Sequence, residues 1–384
     1  MKVDVLANRM ASMSESATLA LNARAKSLEA AGKTIYNLTA GELATDTPDY
    51  IHKAVAGTLK QNKYTPVAGL GNLRQKIAEE ARTFYSLNWI ESENVVVTAG
   101  AKPGLYATLL ALINPGDEVI VPVPAWVSYM HLIELVGGVV IKVPLTEDFD
   151  IDPSAIANKL SSRTKAILIN SPHNPTGAIF SKTSLDSLAD VIRGLAVTVI
   201  SDDIYAKLVY DENFTLVPTI GFENLVIING FSKSQALTGW RIGYVIASLS
   251  LAQAITQLLS HITGNAALPS QHAALAAMAK HDIPPTETLD TLKEQRLMVD
   301  KALKKVNGIK YHLPGGAFYF FLDLREITNN SAEWCEQLLI EEGVALVPGE
   351  AFAAPGFARL TFSVDSTTLN KALSKIAVFV ESNR

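Results

Sequence analysis

Cysteine is nearly absent: Cys335 is the one thiol in 384 residues. A single thiol excludes an intramolecular disulfide and a cysteine-built metal site, and it suits a reducing compartment. Charge of one sign is scarce as well. The 33 Lys and Arg against 38 Asp and Glu leave a net charge of −5, which gives no electrostatic footprint for nucleic acid. Long apolar runs are missing too. Gly, Pro or a charge interrupts each one before the roughly 20 residues of a membrane span. The first ten residues carry Lys2, Asp4 and Arg9 rather than the apolar stretch of a signal peptide. These absences predict a cytoplasmic protein with no metal and no nucleic-acid or membrane partner. Hydrophobic residues, by contrast, make up 48% of the chain. That is globular, and the length exceeds one ordinary core, so two domains are expected.

Short β-branched runs at 95–98, 118–123, 139–143, 166–170, 197–201 and 225–229 read as buried strands, with helical stretches between most of them. That alternation predicts an α/β fold with a mostly parallel sheet covered on both faces. In such sheets ligands sit at the carboxyl ends of the strands. Gly100, the run 170–177, Asp202 and Ser232-Lys233 each come just after a strand. An amphipathic helix is expected over 14–31. Beyond Thr288 the texture changes: a charged helix (289–306), strands within 311–324, a helix (333–342), strands at 345–348 and 359–363, and a closing helix (368–381). The division expected is a large domain, 48–288, and a smaller α+β domain made of 1–47 and 289–384.

A lysine at a strand end, flanked by Ser232 and Ser234, is a candidate for Schiff-base chemistry. Arg241, eight residues on, supplies a second cation able to hold a phosphate with Ser232. Ser201-Asp202-Asp203-Ile204-Tyr205 ends another strand, and Asn174-Pro175-Thr176-Gly177 follows a third.

In this order and at these intervals, the three elements resemble the fold-type I aminotransferases that use pyridoxal 5'-phosphate, from Ser16-Ala17-Thr18 to Arg359. The resemblance implies a large domain with a seven-stranded sheet. It makes Lys233 the residue that forms the Schiff base and then carries a proton, a task that needs a neutral amine. Asp202 would keep the cofactor's pyridine nitrogen protonated, making the ring an electron sink. Asn174 and Tyr205 match the pair that hydrogen-bonds the ring 3-oxygen, and Trp126 the aromatic that stacks on the ring. Gly100, Ala101 and Lys102 match the phosphate cradle at a helix N-terminus. Tyr64 resembles a tyrosine that reaches the phosphate of a neighbouring subunit, which implies a homodimer with shared active sites. Arg359 resembles the fork that clamps the substrate α-carboxylate, with Gly41 assisting through its backbone. One departure is visible: many relatives carry a hydroxyl three residues before the lysine, and here Gly230 stands there. His173 is read as incidental to the chemistry.

For the side chain of the substrate, two branches differ. One binds a second carboxylate with an arginine about 34 residues after the lysine. Residues 242–279 contain no Lys or Arg, so it has no match here. A bacterial aspartate/prephenate subgroup uses a lysine in the cradle and a threonine in the first helix, matched by Lys102 and Thr18. The resemblance therefore implies transfer of the amino group of aspartate to 2-oxoglutarate. Alternatives are a prephenate or aromatic aminotransferase, or a carbon–sulfur lyase on the same fold. A cofactor-binding regulatory module is disfavoured by the intact catalytic set. The loop Glu42-Leu43-Ala44-Thr45 departs from the subgroup's Glu-Pro-Asp-Phe pattern and leaves side-chain preference open.

Overall fold

The computed structural model describes residues 17–279 and 286–383, with Ala7 and Met10. The elements run α1 (Ala17–Ala30), β1 (Tyr36–Asn37), α2 (Asp49–Ala56), α3 (Gly71–Tyr85), β2 (Val95–Thr98), α4 (Ala101–Leu112), β3 (Glu118–Val123), α5 (Ser128–Leu135), β4 (Val139–Pro144), α6 (Pro153–Ala157), β5 (Thr164–Asn170), α7 (Lys182–Ile192), β6 (Thr198–Asp202) and β7 (Leu225–Gly230). They continue with β8 (Gly243–Ile246), α8 (Leu249–Ile262), α9 (Leu268–Met278), α10 (Thr286–Leu303), β9 (Tyr319–Asp323), α11 (Ser331–Glu342), β10 (Val344–Ala345), β11 (Val347–Pro348), β12 (Phe357–Thr361) and α12 (Ser366–Ser382). The start expected for the first helix, before residue 17, lies outside the described residues.

Seven strands form the main sheet in the order β2-β8-β7-β6-β5-β3-β4. Its core strands are apolar on both faces. In β5 and β6, Ile167, Ile169 and Val199 pack with Leu185 and Leu188 of α7, while Ala166, Leu168 and Ile200 pack with Leu105 and Leu109 of α4. Burial on both sides is why these runs read as continuous hydrophobics rather than alternating ones. The seventh strand, β8, was not separable by pattern: Gly243-Tyr-Val-Ile is short and follows a Gly- and Trp-containing turn. It runs antiparallel to both β7 and β2. Its reversal has a consequence for the site. The start of β8 lies at the same edge as the ends of β2 and β7, so Arg241 arrives beside Ser232 and Lys233.

Close backbone approach makes that arrangement possible. A Cβ on Gly243 would lie 2.6 Å from the amide nitrogen of Ala101 and 2.9 Å from the carbonyl of Asn229. At Gly230 a Cβ would meet Gly243 Cα at 3.0 Å. The close contact of β7 and β8 thus leaves little room for a side chain at position 230.

A three-stranded antiparallel sheet, β11-β12-β9, and a two-stranded pair, β1-β10, form the rest. Their core is aromatic, with Phe318, Phe320 and Phe362 packed against Leu369, Ile376 and Phe379. Strand structure expected from 311 begins only at Tyr319; before it lies an isolated bridge, Lys310 to Asp323, and the Pro314-Gly315-Gly316 turn. Among the described residues, no helix is long and apolar enough to cross a membrane.

Gly243→Ala tests the close approach. Overpacking against fixed backbone costs about 1–3 kcal/mol, so the variant should unfold at lower denaturant than the parent with an unchanged m-value. An unaltered midpoint would show that β8 and α4 can separate at no cost.

Candidate active site

The carboxyl edge of the main sheet holds a cavity of about 250 Å³. Gly41, Ala101, Lys102, Trp126, Asn174, Asp202, Tyr205, Ser232, Lys233, Arg241 and Arg359, all singled out from the sequence, line it together. Asp202 ends a strand and Ala101, Lys102, Trp126, Asn174, Tyr205, Ser232 and Lys233 follow one, whereas Arg241 precedes β8, Arg359 lies within β12, and Gly41 is carried across by the segment after β1. Gly100 adjoins them as the N-cap residue of α4, which leaves Tyr64 and Thr18. Tyr64 is 96% exposed and does not line its own chain's cavity. Thr18 falls within α1, but its side chain is outside the described residues, so its assignment rests on the sequence pattern alone.

Positive charge dominates the lining. Lys102, Lys233, Arg241 and Arg359 face it, with Asp202 the one acidic group among the lining residues. Burial pulls the Lys233 ammonium from 10.5 down to about 8; the Glu42 carboxylate opposes the shift, while Arg359 and Arg241 add to it. Lys233 Nζ donates to the Gly41 carbonyl. Lys102 is also held below the usual lysine range by burial and by Arg241. Its Nζ sits 4.6 Å from the centre of the Trp126 ring, a cation–π contact that aims the ammonium inward.

The α4 N-terminus is ready for an anion. Gly100 has φ +106, a conformation that favours glycine, and a Cβ there would lie 2.8 Å from an Arg241 Nη. No side chain caps this end of α4, so its first amides face the same space as Arg241. Ser232 is buried beside them. A helix N-terminus, a guanidinium and a hydroxyl together suit a phosphate.

Asp202 faces the cavity from the end of β6. Its Oδ2 accepts from the Tyr129 hydroxyl at 2.6 Å. Burial still raises the carboxyl from 3.8 to about 6, against that hydrogen bond, so it is poised to hold a cationic nitrogen. Asn170 ties two strand ends together: its Nδ2 donates to the Asp202 carbonyl at 2.8 Å and its Oδ1 accepts from the Asn174 amide at 2.9 Å. The Tyr205 hydroxyl lies 2.8 Å from that of Tyr319. Arg359, 2% exposed, donates from one Nη to Asn174 Oδ1 and from the other to the Thr39 carbonyl, both at 2.9 Å. Its guanidinium stacks 4.4 Å from the Tyr319 ring. His173 is buried and its Nδ1 meets Thr176 Oγ1 at 2.8 Å. Burial lowers it to about 3, so it is neutral and holds its own turn.

Sequence reading passed over Tyr129 and Tyr319. Tyr129 stands one helical turn after Trp126, and its ring meets that indole edge-on at 5.3 Å. Tyr319 hid in an aromatic strand. In both cases the signal was a tyrosine in an apolar run, because a buried hydroxyl needs a partner.

Tyr129→Phe removes the donor to Asp202, and the sign of its effect depends on pH. The folded pKa of Asp202 is above its unfolded value, and the hydrogen bond favours the ionised form. The variant should therefore lose about 1–3 kcal/mol of stability above pH 6 and less toward pH 4, where the carboxyl is protonated. Urea unfolding across that range would contradict this if the loss were independent of pH.

Residues 33–376 match the family model described as aminotransferase class I and II. The aspartate aminotransferase of Thermotoga maritima is 39% identical, over 98% of this chain and 100% of that protein. The aspartate/prephenate aminotransferase of Thermus thermophilus is 36% identical, over 97% and 98%. The crystal structure of the Thermotoga maritima enzyme superposes with a TM-score of 0.93, covering 98% of this chain and 100% of that one. The Thermus thermophilus aspartate aminotransferase solved with maleate, 35% identical over 98% and 100%, gives 0.94. With that match spanning all three sheets and the residues that line the cation-rich cavity, the chain belongs to the class I and II aminotransferase family.

Proposed function

We propose that the protein is a pyridoxal phosphate-dependent aspartate aminotransferase with 2-oxoglutarate as acceptor. One observation carries the substrate assignment: Lys102, though exposed on its outer side, lines the cavity with its ammonium over Trp126, a second cation besides the α-carboxylate site at Arg359. A substrate with two carboxylates matches two such cations. Relatives named aspartate aminotransferase, and one solved with the dicarboxylate maleate, support the same reading.

The residues fit the cofactor. The Gly100–Ala101 amides, Ser232 and Arg241 would hold its phosphate, Trp126 would stack on its ring, and Asn174 and Tyr205 would hydrogen-bond its 3-oxygen. When bound, pyridoxal phosphate supplies a carbonyl carbon for amines and a ring that draws electrons from the substrate α-carbon. Everything else falls to side chains of this chain. Asp202 holds the proton on the ring nitrogen. Lys233, with its pKa lowered to about 8 by burial, takes the α-proton as a neutral base and returns it at the neighbouring position. Arg359 grips the α-carboxylate with the donors its protein partners leave free, and Gly41 lines the same end. Lys102 and Thr18 receive the second carboxylate.

Two further parts belong to this reading. The chain works as two domains, 48–288 and 1–47 with 289–384, with the cavity between them. It also acts as a homodimer, in which Tyr64, exposed on one subunit, reaches the phosphate of the other.

Lys233→Ala should bind pyridoxal phosphate reversibly, lose the long-wavelength absorbance of the covalently held cofactor, and turn over no substrate, while circular dichroism stays native. Near-normal activity would sink the assignment. A panel of amino donors with 2-oxoglutarate, read by glutamate formation, tests the substrate. Lys102→Ala should lower kcat/KM for aspartate by about 30-fold or more, because unpairing a desolvated charge costs roughly 2–5 kcal/mol. Phenylalanine should change far less. Equal losses for both donors, with cofactor affinity retained, would leave an aminotransferase of other specificity.

A further inference from the structure

Asp203 follows Asp202 and faces away from the cavity. It is 1% exposed and makes no ion pair among the described residues. Its Oδ1 accepts from Ser201 Oγ, while Oδ2 makes no hydrogen bond of standard geometry. The side it faces is closed by phenols. Tyr85, the last residue of α3, is buried and accepts from Asn229 Nδ2 at 3.0 Å. Tyr244 of β8 packs on the same side, and beyond it the Glu80–Lys207 pair closes a small cavity shared with Asn229. The Asp203 amide donates to the Ile228 carbonyl at 2.8 Å, joining the end of β6 to β7 four residues before Ser232.

Two adjacent buried carboxyls cannot both ionise cheaply. Asp202 faces a cation-lined cavity; Asp203 faces tyrosines and one asparagine. A buried carboxylate that has hydroxyls but no cation beside it takes up a proton rather than bear the desolvation penalty. We propose that Asp203 is a positioning residue, the proton-bearing member of the pair, which leaves the negative charge on Asp202 and ties the strand ends under Lys233 to α3 through Tyr85 and Asn229. The inference rests on the cofactor reading for its consequence, but not for its protonation state. Burial raises Asp203 from 3.8 to about 7 against the hydrogen-bonding influence of the Ser201 and Tyr85 hydroxyls, with the charge of Asp202 adding to the rise. The Tyr85 and Tyr244 phenols are pushed up and stay neutral. The Glu80–Lys207 pair carries no net charge to offset this.

Difference infrared spectroscopy of the holoenzyme at pH 6 should show the carbonyl stretch of a protonated carboxylic acid. Asp203→Asn should abolish that band, and Asp202→Asn should keep it. Loss of the band only in Asp202→Asn, or its persistence in Asp203→Asn, would overturn the proposal. Urea unfolding of the apoprotein gives an arm independent of cofactor. The raised folded pKa means that parent stability falls as pH rises from about 4 to about 7, where the folded carboxyl ionises as well. Asp203→Asn lacks that slope, so its advantage over the parent should open across this window and then stay constant. Parallel stability curves for the two proteins would refute the assignment. Asp203→Ala should lower kcat roughly tenfold or more by loosening the strand ends, with Asn restoring most of it. Equal loss in Ala and Asn would mean that charge, not a neutral hydrogen-bonding group, is required. Failure of the parent to bind pyridoxal phosphate would instead fall on the proposed function, with the apoprotein measurements still deciding Asp203.

Discussion

Buried positive charge at the carboxyl edge of the main sheet is the constraint around which this molecule is organised. Lys233 and Arg359 are withdrawn from water, and Lys102 is partly so. Their burial lowers the tendency of each lysine to hold a proton, which is costly for folding but useful for chemistry. The sheet tolerates this because rigid backbone holds the groups apart. Asn170 braces Asp202 and Asn174, and Thr39 and Asn174 take up two arms of Arg359. Charge of this kind complements an anionic ligand.

The reversed strand is the second organising feature. In a wholly parallel sheet the residues before β8 would lie at the far edge. Because β8 runs antiparallel, Arg241 joins the ends of β2 and β7. The contacts of Gly230 and Gly243 with neighbouring backbone let this happen without a gap. The segment after β1 then crosses the edge. Ala44 N donates to Ser363 Oγ, and Thr47 Oγ1 donates to the Ala236 carbonyl while accepting from the Trp240 indole. Gly41 lies just before those two anchors, and its carbonyl accepts from Lys233 Nζ. The smaller sheet contributes Arg359 and Tyr319 from neighbouring strands β12 and β9, whose paired register sets them on one side of the cavity.

Much was legible in the sequence. Continuous β-branched runs marked six of the seven main strands, because strands buried on both faces have no polar alternation to blur them. Lys233, Asp202, Asn174 and Arg241 stood out together, because three short motifs associated with strand ends occur in one order at set intervals, whereas any one polar residue in a turn would read as solvated. Those are local signals, and local signals survive without a fold. Only the tertiary structure decided the rest. Whether Lys102 points inward depends on Trp126, 24 positions later; the partner of Asp202 is Tyr129, 73 positions earlier; and the neighbours of Asp203 come from α3 and β8. A side chain's charge state is set by what packs against it, and packing partners distant in the chain leave no periodicity for a linear reading to detect.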